Sequence, residues 1–249
     1  MTASLAGRTA VVTGASRRAG IGFAIVRQLS ALGASIFAQG WSPHDARHPW
    51  GADEGAREEL AALPSAVYLE ADLADSEAPA RIVEAARRQF GHLDIIVANH
   101  ARSGHGRLGE LTAAEVDAFL GENVRATLLL VKEFAAQHDG RSGGRVILLT
   151  SGQHLGPMPR AVAYAVSKGA IQAATTTLAA ELMPRGITVN AVNPGPTATG
   201  WDIGDPAGSM PLGRWGEPND AARLIAWLCG DDARWITGQT IDSEGGFRR

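Results

Sequence analysis

Cysteine is almost missing from this chain, with Cys229 alone among 249 residues. No intrachain disulfide can form, and nothing calls for an oxidising compartment. Cys229 ends the apolar run Leu224-Ile225-Ala226-Trp227-Leu228 and reads as a small buried hydrophobe. A basic excess is lacking too. A net charge of −3 argues against a partner held through its phosphates, so no nucleic acid is expected. No run of 18 apolar residues occurs, so no membrane span is expected. Met1 to Gly7 lacks the charged-then-apolar order of a secretory signal. The expected compartment is the cytoplasm.

What is present is ordinary for a globular protein: hydrophobic residues make up 45% and charged residues 20%. The length suits one α/β domain over residues 1–249. Short apolar runs alternate with helical patterns. Strands are expected at Thr9–Thr13, Ser35–Ala38, Val67–Leu69, Asp94–Ala98, Arg145–Thr150, Thr188–Val192 and Gln239–Ile241. Between them, Ile21, Ile25, Leu29 and Leu32 recur at helical spacing, as do Ile82, Val83, Ala86 and Phe90. A long helix is expected from about Thr112, with Val116, Leu120, Val124, Leu128 and Val131 facing the core. Another runs from Tyr164 through Ile171, Leu178 and Leu182 until Pro184 stops it. Such alternation predicts a doubly wound, mainly parallel seven-stranded sheet with helices on both faces. Trp41–Gly55 and Thr197–Pro218 are expected to be irregular, where ligand-contacting loops belong.

Two features carry chemistry. The first is the turn Thr13-Gly14-Ala15-Ser16-Arg17-Arg18-Ala19-Gly20-Ile21-Gly22 between the first strand and helix. Its glycines let backbone approach a pyrophosphate, and the helix N-terminus offers N–H donors. An NAD site usually has an acid about 20 residues on for the ribose 2′-hydroxyl, but no Asp or Glu occurs from Phe23 to His44. Arg17 and Arg18 could instead fork onto a 2′-phosphate. This favours NADP(H) and keeps NAD(H) possible; either arginine could equally face solvent. Asp72 could bind an adenine amino group or cap the segment after it.

The second feature is Tyr164 and Lys168, stacked one turn apart on a helix, with Ser151 thirteen residues upstream. A free phenol has a pKa of about 10, and bringing it to about 7 needs roughly 4 kcal/mol of preference for the anion. A nearby ammonium and an oxidised nicotinamide ring could supply that. Singly, these residues could be a core tyrosine, a solvated lysine and a turn serine, and Asn123 could be a polar break in its helix.

Taken in order, the motifs resemble the short-chain dehydrogenases/reductases of the single-domain branch, over essentially the whole chain. They are Gly14, Gly20 and Gly22; Asp72-Leu73; Asn99; Asn123-Val124; Ser151; Tyr164 with Lys168; Asn193-Pro194-Gly195 with Thr199; Ile236-Thr237-Gly238-Gln239; and Gly245-Gly246. Among subgroups the chain is most similar to bacterial 3-oxoacyl-carrier-protein-reductase-like proteins. The resemblance implies a catalytic set of Asn123, Ser151, Tyr164 and Lys168. Tyr164 would be the acid in carbonyl reduction and the base in alcohol oxidation, and Ser151 would bond the substrate oxygen. Lys168 would hold the nicotinamide ribose, and Asn123 would position a water linking Lys168 to solvent. The implied cofactor site adds Ser16 and Ile21 to the glycine turn, and Pro194, Gly195, Thr197 and Thr199 beside the nicotinamide. A homotetramer built through the two long helices and the C-terminal segment is implied as well. No metal is assigned.

The chain departs from the family pattern twice. Its glycine turn is two residues longer, most simply by Arg18 and Ala19. Ala98-Asn99-His100-Ala101 stands where the pattern has Asn-Asn-Ala-Gly, so His100 could reach the site, although it is assigned no catalysis. His154, Met158, Trp201 and Met210 could line a substrate pocket or simply pack. The reading is therefore an oxidoreductase moving hydride between NADP(H) and a small carbonyl or alcohol, a 3-oxoacyl thioester or another ketone. The alternative is a silent NAD(P)-sensing regulator on the same fold.

Overall fold

The computed structural model describes residues 4–201, 203–206 and 208–248. Seven strands among them form one wholly parallel sheet: β1 (Thr9–Val12), β2 (Ser35–Gly40), β3 (Ala66–Glu70), β4 (Ile95–Ala98), β5 (Gly144–Leu149), β6 (Ile187–Asn193) and β7 (Thr240–Asp242). Their order is β3-β2-β1-β4-β5-β6-β7. The winding reverses between β1 and β4, the switch point at which such sheets take ligands.

Both faces of the inner strands are covered, which is why β1, β2, β4, β5 and β6 read as largely apolar runs. Side chains alternate along β1: Ala10 and Val12 join one core layer and Val11 the other. The first layer packs Ile25 and Leu29 of α1 (Ile21–Ala31) against Ile225 and Leu228 of α8 (Pro218–Cys229), with Cys229 fully buried among them. The second packs Ile82 of α4 (Ala78–Phe90), Leu130 and Phe134 of α6 (Ala126–Gln137) and Ile171 of α7 (Val162–Leu182).

Two expectations change. The segment Trp41–Gly55 is not wholly irregular: it carries the short α2 (Ser42–Asp45) and leads into α3 (Glu54–Ala61). The long helix after Thr112 is not one regular helix either. Thr112 accepts from the Glu115 N–H and caps α5 (Ala113–Phe119). A π turn (Leu120–Arg125) then precedes α6. The extra residue in that turn rotates α6 about its axis, so a stripe at strict four-residue spacing leaves the core. Leu128, expected inside, is 37% exposed, while Phe119, Asn123, Leu130 and Phe134 are buried. No helix of the described residues is long and apolar enough to cross a membrane.

Candidate active site

A cleft of about 380 Å³ opens at the carboxyl ends of β1, β4, β5 and β6. Gly14, Ser16, Arg17, Gly20 and Ile21 line one end; Ser151, Tyr164, Pro194, Gly195, Thr197 and Thr199 line the other, with Asp72, Leu73, Asn99 and His100 between. Gly22, Arg18, Asn123 and Lys168 are not part of this wall.

The glycine turn is tied down across the switch point. Asn99 Nδ2 donates to the carbonyls of Thr13 and Gly14, each at 3.0 Å. Gln39, at the end of β2, accepts from Gly14 N through Oε1 (3.1 Å) and donates to Ala71 O. Gly14 has a φ of +70° and lies against the backbone of His100, where a Cβ would come within 2.8 Å. At Gly22 a Cβ would sit 2.2 Å from Gly14 O, so only glycine lets α1 pack this close. No side chain caps the first turn of α1 at Gly20. Its N–H groups open on the cleft beside Gly20 and Ile21, the donor set a pyrophosphate takes.

The two extra residues of this turn loop outward. Gly20 N donates to Arg17 O at 2.9 Å, closing a tight turn over Arg18 and Ala19. Arg18 is thereby turned away from the cleft. Its backbone N and Nε both bond Asp53, and its guanidinium forms an exposed ion pair there at 2.7 Å. Arg17 goes the other way. It lies 4.3 Å over the Trp50 ring, a stack worth about 1–2 kcal/mol in a partly dry site. Its Nε is 3.3 Å from Asp45 Oδ1, and burial lowers its pKa against the pull of Asp45. Asp45 is the site residue that the sequence did not reveal. It also accepts from Ser16 Oγ and from Trp50 Nε1.

Asp72 Oδ1 accepts from Ala74 N at 2.8 Å, so Asp72 both turns the chain and lines the cleft.

At the other end, Ser151 lies two residues past the end of β5 and Tyr164 lies in the first turn of α7. Burial raises the phenol's pKa, and a hydrogen bond from Ser151 opposes that. Lys168 Nζ lies 5.8 Å from the Tyr164 ring centre and donates to Leu149 O at 2.8 Å. Thr150 Oγ1 returns a bond to Lys168 O, so the end of β5 and the helix hold each other. Burial lowers the Lys168 pKa to about 8. Asn123 Oδ1 accepts from Arg102 N, while Nδ2 donates to Arg102 O and to Ser167 Oγ; Ser167 in turn donates to Tyr164 O. The hydrogen bonds of the Asn123 side chain thus run to Arg102 and α7 rather than to Lys168.

His100 is locked between Thr13 Oγ1 (2.7 Å from Nδ1) and Glu122 O (3.1 Å from Nε2). The carbonyl requires the Nε2–H tautomer, so the Thr13 hydroxyl donates to Nδ1. Burial, with the nearby charge of Lys168, lowers its pKa to about 3, which keeps the ring neutral. Of the residues offered for a substrate pocket, Trp201 lines the cleft. Met210 is buried against Gly245, and His154 bonds Asp242; neither of these, nor Met158, is part of the wall.

The chain is similar to known proteins over nearly its whole length. The family profile described as enoyl-(acyl carrier protein) reductase matches residues 14–248. An uncharacterized oxidoreductase of Bacillus subtilis, YjdA, is 42% identical over 97% of each chain. The NADPH-dependent aldehyde reductase-like chloroplastic protein of Arabidopsis thaliana is 35% identical, over 98% of this chain and 95% of its own. A short chain dehydrogenase from Burkholderia cenocepacia, solved in complex with NADP, is 33% identical with a TM-score of 0.86, covering 97% of this chain and 98% of its own. With its sheet order, glycine turn and Ser-Tyr-Lys end, the chain belongs to the short-chain dehydrogenase/reductase family, oxidoreductases that act on CH–OH and C=O groups.

Proposed function

We propose that this chain, as one dinucleotide-binding domain over residues 1–249, is an NADP(H)-dependent reductase of a small carbonyl compound, a 3-oxoacyl thioester or another ketone. The observation that carries the reading is Tyr164: a phenol on the cleft wall, bonded by Ser151 and backed by Lys168, facing the space that the glycine turn also faces. When bound, the nicotinamide supplies the hydride for reduction and, oxidised, the positive charge that lowers the phenol for the reverse step.

The protein's part is orientation and proton handling. Ser151 holds the carbonyl oxygen. Tyr164, kept protonated by its raised pKa, donates its proton to that oxygen as charge develops there. Lys168, fixed by Leu149 O, would hold the ribose and would offset the charge left on the phenol. Asn123 acts by clamping the Arg102 backbone to the helix that bears Tyr164. Gly14, Gly20, Ile21 and Gly22 shape the pyrophosphate cradle. Asp72 and Leu73 would flank the adenine, Asn99 braces the turn, and Pro194, Gly195, Thr197 and Thr199 would border the nicotinamide. Arg17, with Ser16, would hold the 2′-phosphate. Arg18 is left out of that site, because its guanidinium turns from the cleft and pairs with Asp53.

The choice of NADP(H) is supported by Arg17 on the cleft wall and by the NADP-bound relative. A homotetramer in the cytoplasm completes the reading; Leu128 on α6 and Val166 on α7, 37% and 57% exposed, are apolar side chains that such an assembly would cover. The test is a steady-state assay of the purified chain with NADPH and NADH against 3-oxoacyl esters, cyclic ketones and aldehydes, with its mass in solution measured in parallel. NADPH oxidation that depends on one of these carbonyls supports the reading. Binding of NADPH without turnover of any of them favours the silent regulator.

A further inference from the structure

Asp45 is an acid in a place where a site for a phosphorylated ribose has no evident use for one. It ends α2, is only 5% exposed, and forms part of the cleft wall. Three donors converge on its carboxylate. Ser16 Oγ reaches Oδ2, while Arg17 Nε and Trp50 Nε1 each lie 3.3 Å from Oδ1. A hydroxyl, a guanidinium and an indole N–H gathered round one point are what a phosphate would also take. Here the anion they surround belongs to the chain.

We propose that Asp45 is a specificity-determining residue that holds down the preference for NADPH over NADH. This rests on the NADP(H) reading above. The carboxylate neutralises Arg17 and would stand within reach of whatever the ribose carries at its 2′ position. A 2′-hydroxyl can donate to it. A 2′-phosphate brings about two negative charges and must share Ser16 and Arg17 with a like charge, in a site where burial weakens screening. Asp45 cannot easily withdraw. Its helix starts with Pro43 in the first turn, and Ala46 N bonds Ser42 O at 3.0 Å behind it. The chain therefore carries both determinants, Arg17 for the phosphate and Asp45 for the hydroxyl, paired with each other.

The experiment is Asp45→Asn in the full chain, which keeps the shape and removes the charge. The expected result is that the NADPH-to-NADH ratio of kcat/KM rises about tenfold, carried by a lower KM for NADPH with kcat little changed. In calorimetric titration, adenosine 2′,5′-bisphosphate should bind the variant about tenfold more tightly, and 5′-AMP no more tightly than it binds the parent chain. Asp45→Ser repeats the test if the asparagine variant does not fold. A ratio that moves less than twofold, a weaker NADPH, or a bisphosphate that binds neither protein overturns the proposal. The titrations need no turnover, so a chain that binds these ligands as expected but reduces no carbonyl would refute the proposed activity and leave the role of Asp45 standing.

Discussion

At one end of the cleft, Ser151, Tyr164 and Lys168 are carried by the end of a strand and by two turns of one helix. At the other, Ser16, Arg17, Asp45 and Trp50 come from a glycine turn and from the segment after β2. The first end is held by main-chain geometry: Lys168 Nζ on Leu149 O, and Thr150 Oγ1 on Lys168 O. The second is held by side chains on one another, Arg17 between Asp45 and Trp50. Proton transfer, the role proposed for the first end, tolerates little misplacement and is served by rigid elements. Recognition of a ribose substituent, the role proposed for the second, can be retuned by one substitution.

That contrast can be broken from either side. The largest effect is expected for Tyr164→Phe, which should lower kcat by about 10³-fold or more while leaving cofactor affinity within about threefold. Retained turnover in a steady-state assay would remove Tyr164 from the chemistry. Arg17→Met keeps an apolar stem over Trp50 and loses the charge. It should raise the KM for NADPH about thirtyfold and that for NADH less than threefold; an equal loss for both cofactors would make Arg17 a structural residue.

A smaller effect concerns His100. Its pKa is about 3 in the fold against about 6.5 unfolded. Between those values the unfolded chain binds a proton that the folded chain does not, so stability falls as pH drops from 6.5 toward 3. His100→Gln removes that proton and can still donate to Glu122 O. Between pH 6.5 and 5 it should lose up to about 2 kcal/mol less stability than the parent chain, measured by denaturant titration. An identical pH slope in the two proteins would mean that the ring is not desolvated. The smallest effect is at Arg18, whose pair with Asp53 is exposed and screened by water. Arg18→Ala should change the KM for NADPH by less than twofold. A change as large as that at Arg17 would bring both guanidinium groups into one site.

That Ser151, Tyr164 and Lys168 come together was legible in the sequence because their signal is local: a four-residue spacing on a helix, and a serine after an apolar run. The strands were legible for a similar reason, since β1, β2, β4, β5 and β6, buried on both faces, read as short apolar runs, while the edge strands β3 and β7 are only half-buried. Two things were not. Asp45 lies one residue beyond the acid-free stretch, and nothing in its neighbourhood shows that α2 turns it inward onto Ser16. The fates of Arg17 and Arg18 were equally hidden. Adjacent and chemically alike, they diverge because a turn closes at Gly20 and Asp53 awaits only one of them. The Leu128 expectation failed because periodicity assumes an unbroken α-helix, and the π turn breaks it.

The π turn has a consequence for tolerance to length change. It holds one residue more than the α-helical path between α5 and α6 needs. Removing one residue from 120–125 would let that path close to regular helix with α5 and α6 still presenting the same faces, because the wide turn has already absorbed the extra residue. Only 120–125 itself would rewind, and that is where Asn123 holds Arg102 and Ser167. The surplus residue is thus a local widening whose loss would spare the packing of both helices and fall on that clamp.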